Sequence, residues 1–182
     1  RSMNLCDYTD NDFKMEVVDK TTPSIFSGFT CGNETIDKHF QKCDFQDAVC
    51  YAYIDRKAHA TVGLADICCS AINFLYDDTI VTMQPAIKIE HFAVATDYQD
   101  ALWDKLAEED DRFYLSDMFL CSLINYVRII SEMFVGASYM ILHSVPDAQH
   151  FYKRNGFQMF SEYMKLEKNY YVNDCIPMLL QL

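Results

Sequence analysis

The chain has 182 residues, of which 51% are apolar, 14% aromatic and 23% charged. This composition is typical of a packed globular protein and excludes a disordered chain. The formal net charge of −12 disfavours nucleic acids and anionic membranes as partners, because such binding depends largely on basic surface patches.

Length and cysteine usage indicate one intracellular domain. We expect it to span residues 3–182, with Arg1 and Ser2 read as an addition before Met3. No apolar signal-peptide core follows Met3, and no run reaches the ~18 apolar residues of a membrane span. The eight cysteines form no CxxC pair and lie mostly in apolar runs, so we expect reduced and mostly buried thiols in the cytoplasm.

The first half of the chain predicts strands around one helix. Residues 14–18 read as a strand, and apolar residues at helical spacing follow Asn33, the predicted N-cap. Residues 48–56 and 59–74 predict a hairpin around a tight polar turn. Residues 86–96 predict a further strand that starts after a proline.

In the second half, residues 116–135 are apolar on nearly every face, which predicts a helix buried between layers and ended by Gly136. A strand is predicted at 138–144. Proline and glycine delimit a last helix from Pro146 to Gly156. A hairpin at 157–167 and an edge strand at the C-terminus complete the prediction.

The order of these elements predicts the fold class. Strand 86–96, helix 116–135 and strand 138–144 form a βαβ unit, so the two strands should be parallel. The other strands should be antiparallel. The sequence therefore predicts a mixed α/β sheet with helices on both faces.

An acidic segment interrupts this pattern. Between Thr96 and Asp117 lie eight acidic residues, against the two basic residues Lys105 and Arg112, for a local net charge of −6. We expect residues 97–115 to form an acidic insertion or loop within the domain. The segment has no turn glycine, so it does not predict a calcium loop. A half zinc site at His39 and Cys43 lacks a second ligand pair, so no metal is predicted.

Three motifs resemble the GNAT N-acetyltransferase superfamily, over most of residues 14–167. Residues 148–157 match its A-x-x-F-Y-x-x-x-G-F motif at every position, through Ala148, Phe151, Tyr152, Gly156 and Phe157. Residues 89–99, IEHFAVATDYQ, resemble the family's central strand, whose splayed main chain pairs with the pantetheine arm of acetyl-CoA. Residues 29–40, FTCGNETIDKHF, are similar to a motif of a branch that includes toxins acting on aminoacyl-tRNA. The resemblance implies a GNAT-like fold and acetyl-CoA as co-substrate.

The family's glycine-rich pyrophosphate loop, Q/R-x-x-G-x-G/A, is missing from this sequence. No glycine occurs from Ala65 to Val135, and the two available registers read QDALWD from Gln99 and DRFYLS from Asp111. Bulky and acidic residues oppose the approach of a phosphate, whereas the free N–H groups at the helix N-terminus still favour it. The resemblance assigns cofactor contacts to Phe92, Ala93 and Val94 on the strand and to Arg112, Tyr114 and Ser116 beside the helix.

The same resemblance suggests catalytic residues. Tyr152 corresponds to the acid that protonates the departing CoA thiolate, and a phenol with a pKa of ~10 keeps its proton at neutral pH. The alternative for Tyr152 is a core ring with a wet hydroxyl. Glu90 is the predicted base, with a salt bridge as its alternative, and His91 faces the opposite side of the strand. His143, at the end of the neighbouring strand, is the alternative base, with a hydrogen-bonded structural residue as its own alternative. The backbone N–H of Val94 or a neighbour is the predicted oxyanion donor.

We therefore expect an N-acetyltransferase that transfers an acetyl group from acetyl-CoA to a primary amine of a cationic small molecule or peptide. One alternative is a non-catalytic GNAT-fold binding or regulatory protein that has lost acetyl-CoA. Another is a toxin that acetylates aminoacyl-tRNA, which residues 29–40 suggest and the net charge opposes. No membrane partner is expected, and the sequence is compatible with a homodimer.

Overall fold

A computed structural model describes residues 5, 7–18, 23–42, 45, 47–76, 79–103, 112–160 and 175–182. Three α-helices and seven strands carry the fold of this part of the chain. The helices are α1 (Glu34–Lys42), α2 (Leu115–Ile130) and α3 (Gln149–Arg154). The strands are β1 (Phe13–Val17), β2 (Val49–Asp55), β3 (Ala60–Tyr76), β4 (Thr79–Val94), β5 (Tyr139–Ser144), β6 (Gln158–Met159) and β7 (Ile176–Gln181).

The seven strands form one sheet in the order β1-β2-β3-β4-β5-β7-β6. β4 and β5 are parallel, with Ala86 opposite Tyr139, as the βαβ spacing predicts. The pairs β1–β2, β5–β7 and β6–β7 are antiparallel. The predicted mixed α/β sheet is therefore confirmed.

The chain forms two compact units, the first made of residues 1–66 and 91–123. Its core is aromatic: the Phe119 ring of α2 stacks on Tyr53 at 5.2 Å and on Phe92 at 4.7 Å. Gly63 of β3 permits this packing, because a Cβ at that position would lie 2.6 Å from Phe119 and 2.9 Å from the carbonyl oxygen of Ala93. The β2–β3 turn is held by the buried Asp55 carboxylate, which accepts backbone N–H bonds from the next residues, Lys57 and Ala58.

The second unit contains residues 67–90 and 124–182. Its apolar cluster consists of Ile72, Ala86, Ile141 and Phe160. The helical segment that begins with α2 ends as predicted at Gly136. This glycine has a left-handed φ of 67°, and its N–H donates to the carbonyl oxygen of Ser131. The last turn before Gly136, Ser131–Val135, is a π-helical turn.

Helix α2 and its π turn differ from the predicted all-round burial. Five side chains in the first half are fully buried: Leu115, Phe119, Leu120, Leu123 and Val127. Four at the other end are half exposed or more: Ile129, Met133, Phe134 and Val135. By length and composition the continuous helix Leu115–Val135 also passes for a membrane span, a test that core helices pass equally.

Two predicted strands differ from the observed ones. β4 begins at Thr79, so Pro85 lies inside it and not at its start. Pro85 lacks an N–H, and its carbonyl oxygen instead accepts the N–H of Ser138 beside the start of β5. The predicted C-terminal edge strand is wrong among the described residues, because β7 lies between β5 and β6. Within β7, Pro177 has no N–H to donate, but its carbonyl oxygen still accepts the N–H of Phe160.

The last predicted hairpin and the cysteines are partly outside the described chain. Residues 161–174, which contain most of the predicted hairpin partner of β6, are not described, and the described partner of β6 is β7. None of the six described cysteines is in a disulfide. The expectation that most are buried is wrong for these six, since only Cys50 is buried and Cys69 is exposed.

Candidate active site

The FTCG stretch before α1 is shaped by a single carboxylate. Asp37 accepts the hydroxyl of Thr30 at 2.7 Å and the N–H of Cys31 at 2.8 Å. Asn33 caps α1 as predicted, since its side-chain oxygen accepts the N–H groups of Thr35 and Ile36. The FTCGNETIDKHF motif at residues 29–40 therefore forms a hydrogen-bonded loop that leads into α1. Asp37 has a structural role in this loop, because it accepts two of the hydrogen bonds.

This loop is tied to the end of β4. The Gln99 side-chain amide donates to the carbonyl oxygens of Cys31 at 2.8 Å and Val94 at 3.0 Å. Thr96 donates its N–H to the carbonyl oxygen of Thr30. The residue that opens the first glycine-loop register is thus used to hold the strand end, which spacing in the sequence did not predict.

The N-terminus of α2 is already occupied by protein groups. The Asp117 carboxylate, 1% exposed, accepts the N–H of Tyr114 at 2.9 Å, as the acid at the third position of a capping box does. Leu115 donates its N–H to the carbonyl oxygen of Ala101. Two N-terminal donors are therefore used internally, and a negative charge lies where a phosphate would bind.

The other predicted cofactor residues lie in this same first unit. Ser116 is buried in the first turn of α2, Tyr114 directly precedes the helix, and Arg112 is exposed. Strand β4 ends with Phe92, Ala93 and Val94. The next residue, Ala95, donates its N–H to the carbonyl oxygen of Val62. Within the acidic segment, residues 104–111 lie outside the described residues; Leu102 and Tyr114 flank them as an isolated antiparallel bridge.

In the second unit Glu90 takes part in a polar cluster on the sheet. Its carboxylate pairs with the ammonium of Lys88 at 2.8 Å and accepts the Cys68 thiol at 3.4 Å. The Lys88 side chain is only 9% exposed, whereas Glu90 is 30% exposed. The salt bridge that was the alternative for Glu90 is therefore present, and the sequence did not predict its partner.

His143 is electrostatically coupled to the same cluster. Burial lowers the pKa of its imidazole, the Lys88 ammonium lowers it further, and the Glu90 carboxylate partly offsets both effects. The neutral form, which can accept a proton, is therefore favoured at neutral pH. The described β4–β5 register pairs end at Lys88 with Ile141, so Glu90 and His143 both lie beyond the paired stretch.

Tyr152 is buried on α3. Its ring makes edge contacts with Phe151 at 5.1 Å and Phe157 at 5.7 Å, and burial raises the pKa of its phenol above the usual value. Gly156, with φ of 91°, ends the helix as predicted. Phe151 is only half-buried and lies under the Arg154 guanidinium, so the tyrosine and not the phenylalanine is the deeper residue of the pair.

Comparison with known proteins identifies the fold. No protein-family model matches the chain, and no curated protein matches its sequence. A structure of AtaTR bound with AcCoA is 15% identical, with a TM-score of 0.67 over 94% of each chain. AtaT complexed with acetyl-methionyl-tRNAfMet is also 15% identical, with a TM-score of 0.66 over 93% of this chain and 95% of that one. A mutant of KacT is 17% identical, with a TM-score of 0.66 over the same shares.

These neighbours have the GNAT fold, so the chain has that fold, as the three motifs predict. At sequence identities of 15–17%, the structural similarity establishes the fold alone, over 93–94% of this chain.

Proposed function

We propose that the chain is an acetyl-CoA-dependent N-acetyltransferase. The observation that carries the proposal is the GNAT fold shared over 94% of both chains with a neighbour solved with acetyl-CoA. The A-x-x-F-Y-x-x-x-G-F match at residues 148–157 supports it independently. We place the reaction in the cytoplasm, a compartment that suits described cysteines without disulfides.

We assign the cofactor contacts from the family resemblance, residue by residue. The backbone of Phe92, Ala93 and Val94 would pair with the pantetheine arm, and the Val94 N–H would donate to the developing oxyanion. Arg112, Tyr114 and Ser116 would lie along the phosphates, with Arg112 supplying the positive charge. Because the Asp117 carboxylate already accepts the Tyr114 N–H at the start of α2, we expect weaker phosphate binding here than at a glycine-rich loop.

We assign the proton-transfer groups from the same resemblance. Tyr152 would donate its proton to the CoA thiolate as the thioester breaks, since its raised pKa keeps it protonated. Glu90 would accept a proton from the acceptor ammonium through water, which leaves the neutral amine to attack the thioester. His143 is the second choice, because its lowered pKa leaves it neutral and able to act as a base.

Two acceptors are supported by different observations. A neighbour solved with acetyl-methionyl-tRNAfMet and the loop motif at 29–40 favour the amino group of an aminoacyl-tRNA. The net charge of −12 favours a small cationic amine instead. We rank aminoacyl-tRNA first, because net charge counts every residue and not the surface that would contact the tRNA.

The test is transfer of radiolabelled acetyl groups from acetyl-CoA. Parallel reactions contain methionyl-tRNA, a mixture of other aminoacyl-tRNAs, spermidine, a lysine-containing peptide, or no acceptor. We expect label on an aminoacyl-tRNA above the reaction without acceptor. Label on spermidine or the peptide alone would replace the acceptor and keep the enzyme, whereas no transfer in any reaction would favour a non-catalytic GNAT-fold binding protein.

A further inference from the structure

Two histidines and an aspartate from three elements meet in the first unit. His39 lies on α1, Asp66 on β3 and His91 on β4. The His39 Nε2 is 2.7 Å from one Asp66 oxygen, and the His91 Nδ1 is 3.1 Å from the other. One potential ligand atom from each residue lies within 4.8 Å of the other two.

We propose that His39, Asp66 and His91 form a binding site for one transition-metal cation of the Zn²⁺ type. Two imidazoles and one carboxylate are a donor set that suits this class of ion. A tetrahedral ion with bonds of ~2.0–2.2 Å holds its ligand atoms roughly 3.3 Å apart, so ligand atoms that now lie within 4.8 Å of one another must approach by up to about 1.5 Å to bind it. The hydrogen bonds that now join the three groups would then be replaced by metal bonds.

The surroundings of the Asp66 carboxylate favour binding of a cation. The Asp66 side chain is only 2% exposed, and a carboxylate so deeply buried needs close partners such as a metal ion or hydrogen-bond donors. Its carboxylate is also positioned from the backbone, because it accepts the N–H of His91 at 2.7 Å. This outer contact orients the ligand as supporting hydrogen bonds do in metal sites.

The two rings leave one side of the site open. They stack at a centroid distance of 3.8 Å, and Phe40 and Phe45 pack against the edges of the His39 ring. The His39 and His91 side chains remain 28% and 34% exposed. Three protein ligands with an exposed side leave a fourth position for water or for a substrate group.

The test is titration of ZnCl₂ into the EDTA-treated full chain by calorimetry, in wild type and in His39→Gln and Asp66→Asn variants. We expect one ion per chain, with an affinity that falls at least about 100-fold in each variant. His39→Gln keeps the test informative if the buried Asp66→Asn variant fails to fold. His150→Gln, an exposed histidine on α3, is the matched control and should bind as wild type does.

Free thiols can also bind zinc, so a Co²⁺ titration followed by absorbance completes the test. The proposal predicts ligand-field bands without a thiolate charge-transfer band. A thiolate band at the first equivalent would overturn it. So would no binding by wild type, or equal binding by wild type and His39→Gln, since the three residues would then form a hydrogen-bonded cluster.

Discussion

At the scale of single residues, Tyr152 carries the chemistry of the proposed reaction. Its ring is fixed between Phe151 and Phe157, and burial raises the pKa of the phenol. The buried phenol is protonated at neutral pH and can therefore donate, although its raised pKa makes it a weaker acid toward a thiolate than a free tyrosine. Packing and catalysis are therefore compatible roles for this side chain.

Replacing Tyr152 with Phe keeps the ring contacts and removes the proton. We expect turnover to fall by about 10² to 10⁴, the range for loss of a general acid, with the Kd for acetyl-CoA nearly unchanged. Steady-state kinetics and calorimetry measure the two quantities. Tyr139→Phe, on a half-buried tyrosine of β5, is the control. Full activity of the Tyr152 variant would remove this residue from the mechanism.

His143 gives the protein a pH dependence. An unfolded histidine takes up a proton below pH ~6.5, whereas the buried imidazole has a lowered pKa. The unfolded state therefore binds more protons as the pH falls below ~6.5, and the free energy of unfolding declines in that window while staying constant above it. His143→Gln should weaken this decline.

Urea denaturation of wild type and His143→Gln at pH 8 and pH 5.5 checks the expectation. The loss of stability between these pH values should be smaller in the variant. His150→Gln, on the exposed side of α3, should lose as much stability as wild type. Identical losses in wild type and His143→Gln would show that this imidazole is not held in its neutral form.

At the scale of elements, the start of α2 is where we propose that the phosphates of acetyl-CoA bind. Asp117 holds a negative charge against the first turn, where helix N–H groups otherwise attract anions. Asp117→Asn preserves an oxygen that can accept the Tyr114 N–H. It removes the charge, so acetyl-CoA should bind about 2- to 5-fold more tightly.

Calorimetric titration of acetyl-CoA measures this effect. Asp97→Asn, an exposed acid in the short helix Thr96–Tyr98, makes the same change in net charge elsewhere in the first unit. An equal gain in both variants would indicate a general charge effect. No gain in Asp117→Asn would place the phosphates away from α2.

Local signals predicted the elements well because their causes are local. The Asn33 cap, the left-handed Gly136 and the parallel pairing of β4 with β5 follow from neighbouring residues or from the length of the connection. The inner place of β7 did not follow, because strand order depends on pairing between distant segments. The cluster of His39, Asp66 and His91 joins positions 27 and 25 residues apart, which no spacing rule covers.

At the scale of the whole molecule, the GNAT fold persists although the sequence lacks the family's glycine-rich loop. The sheet, α2 and α3 are specified by apolar packing, which tolerates sequence change better than a phosphate cradle does. The proposed site residues Tyr152 and Glu90 could be named from the family motif and the strand register. Lys88 pairs with Glu90, Gln99 holds the end of β4 and Asp117 accepts an N–H at the start of α2, and these three roles became visible only through the contacts.

The central claim is that this chain still binds acetyl-CoA. Calorimetric titration of acetyl-CoA into the full chain, with a thermal unfolding scan in parallel, tests it most directly. We predict saturable binding of one molecule per chain and, at 100 times the Kd, a stabilisation of about 2.7 kcal/mol. No heat and no shift of Tm at millimolar acetyl-CoA would contradict the acetyltransferase assignment.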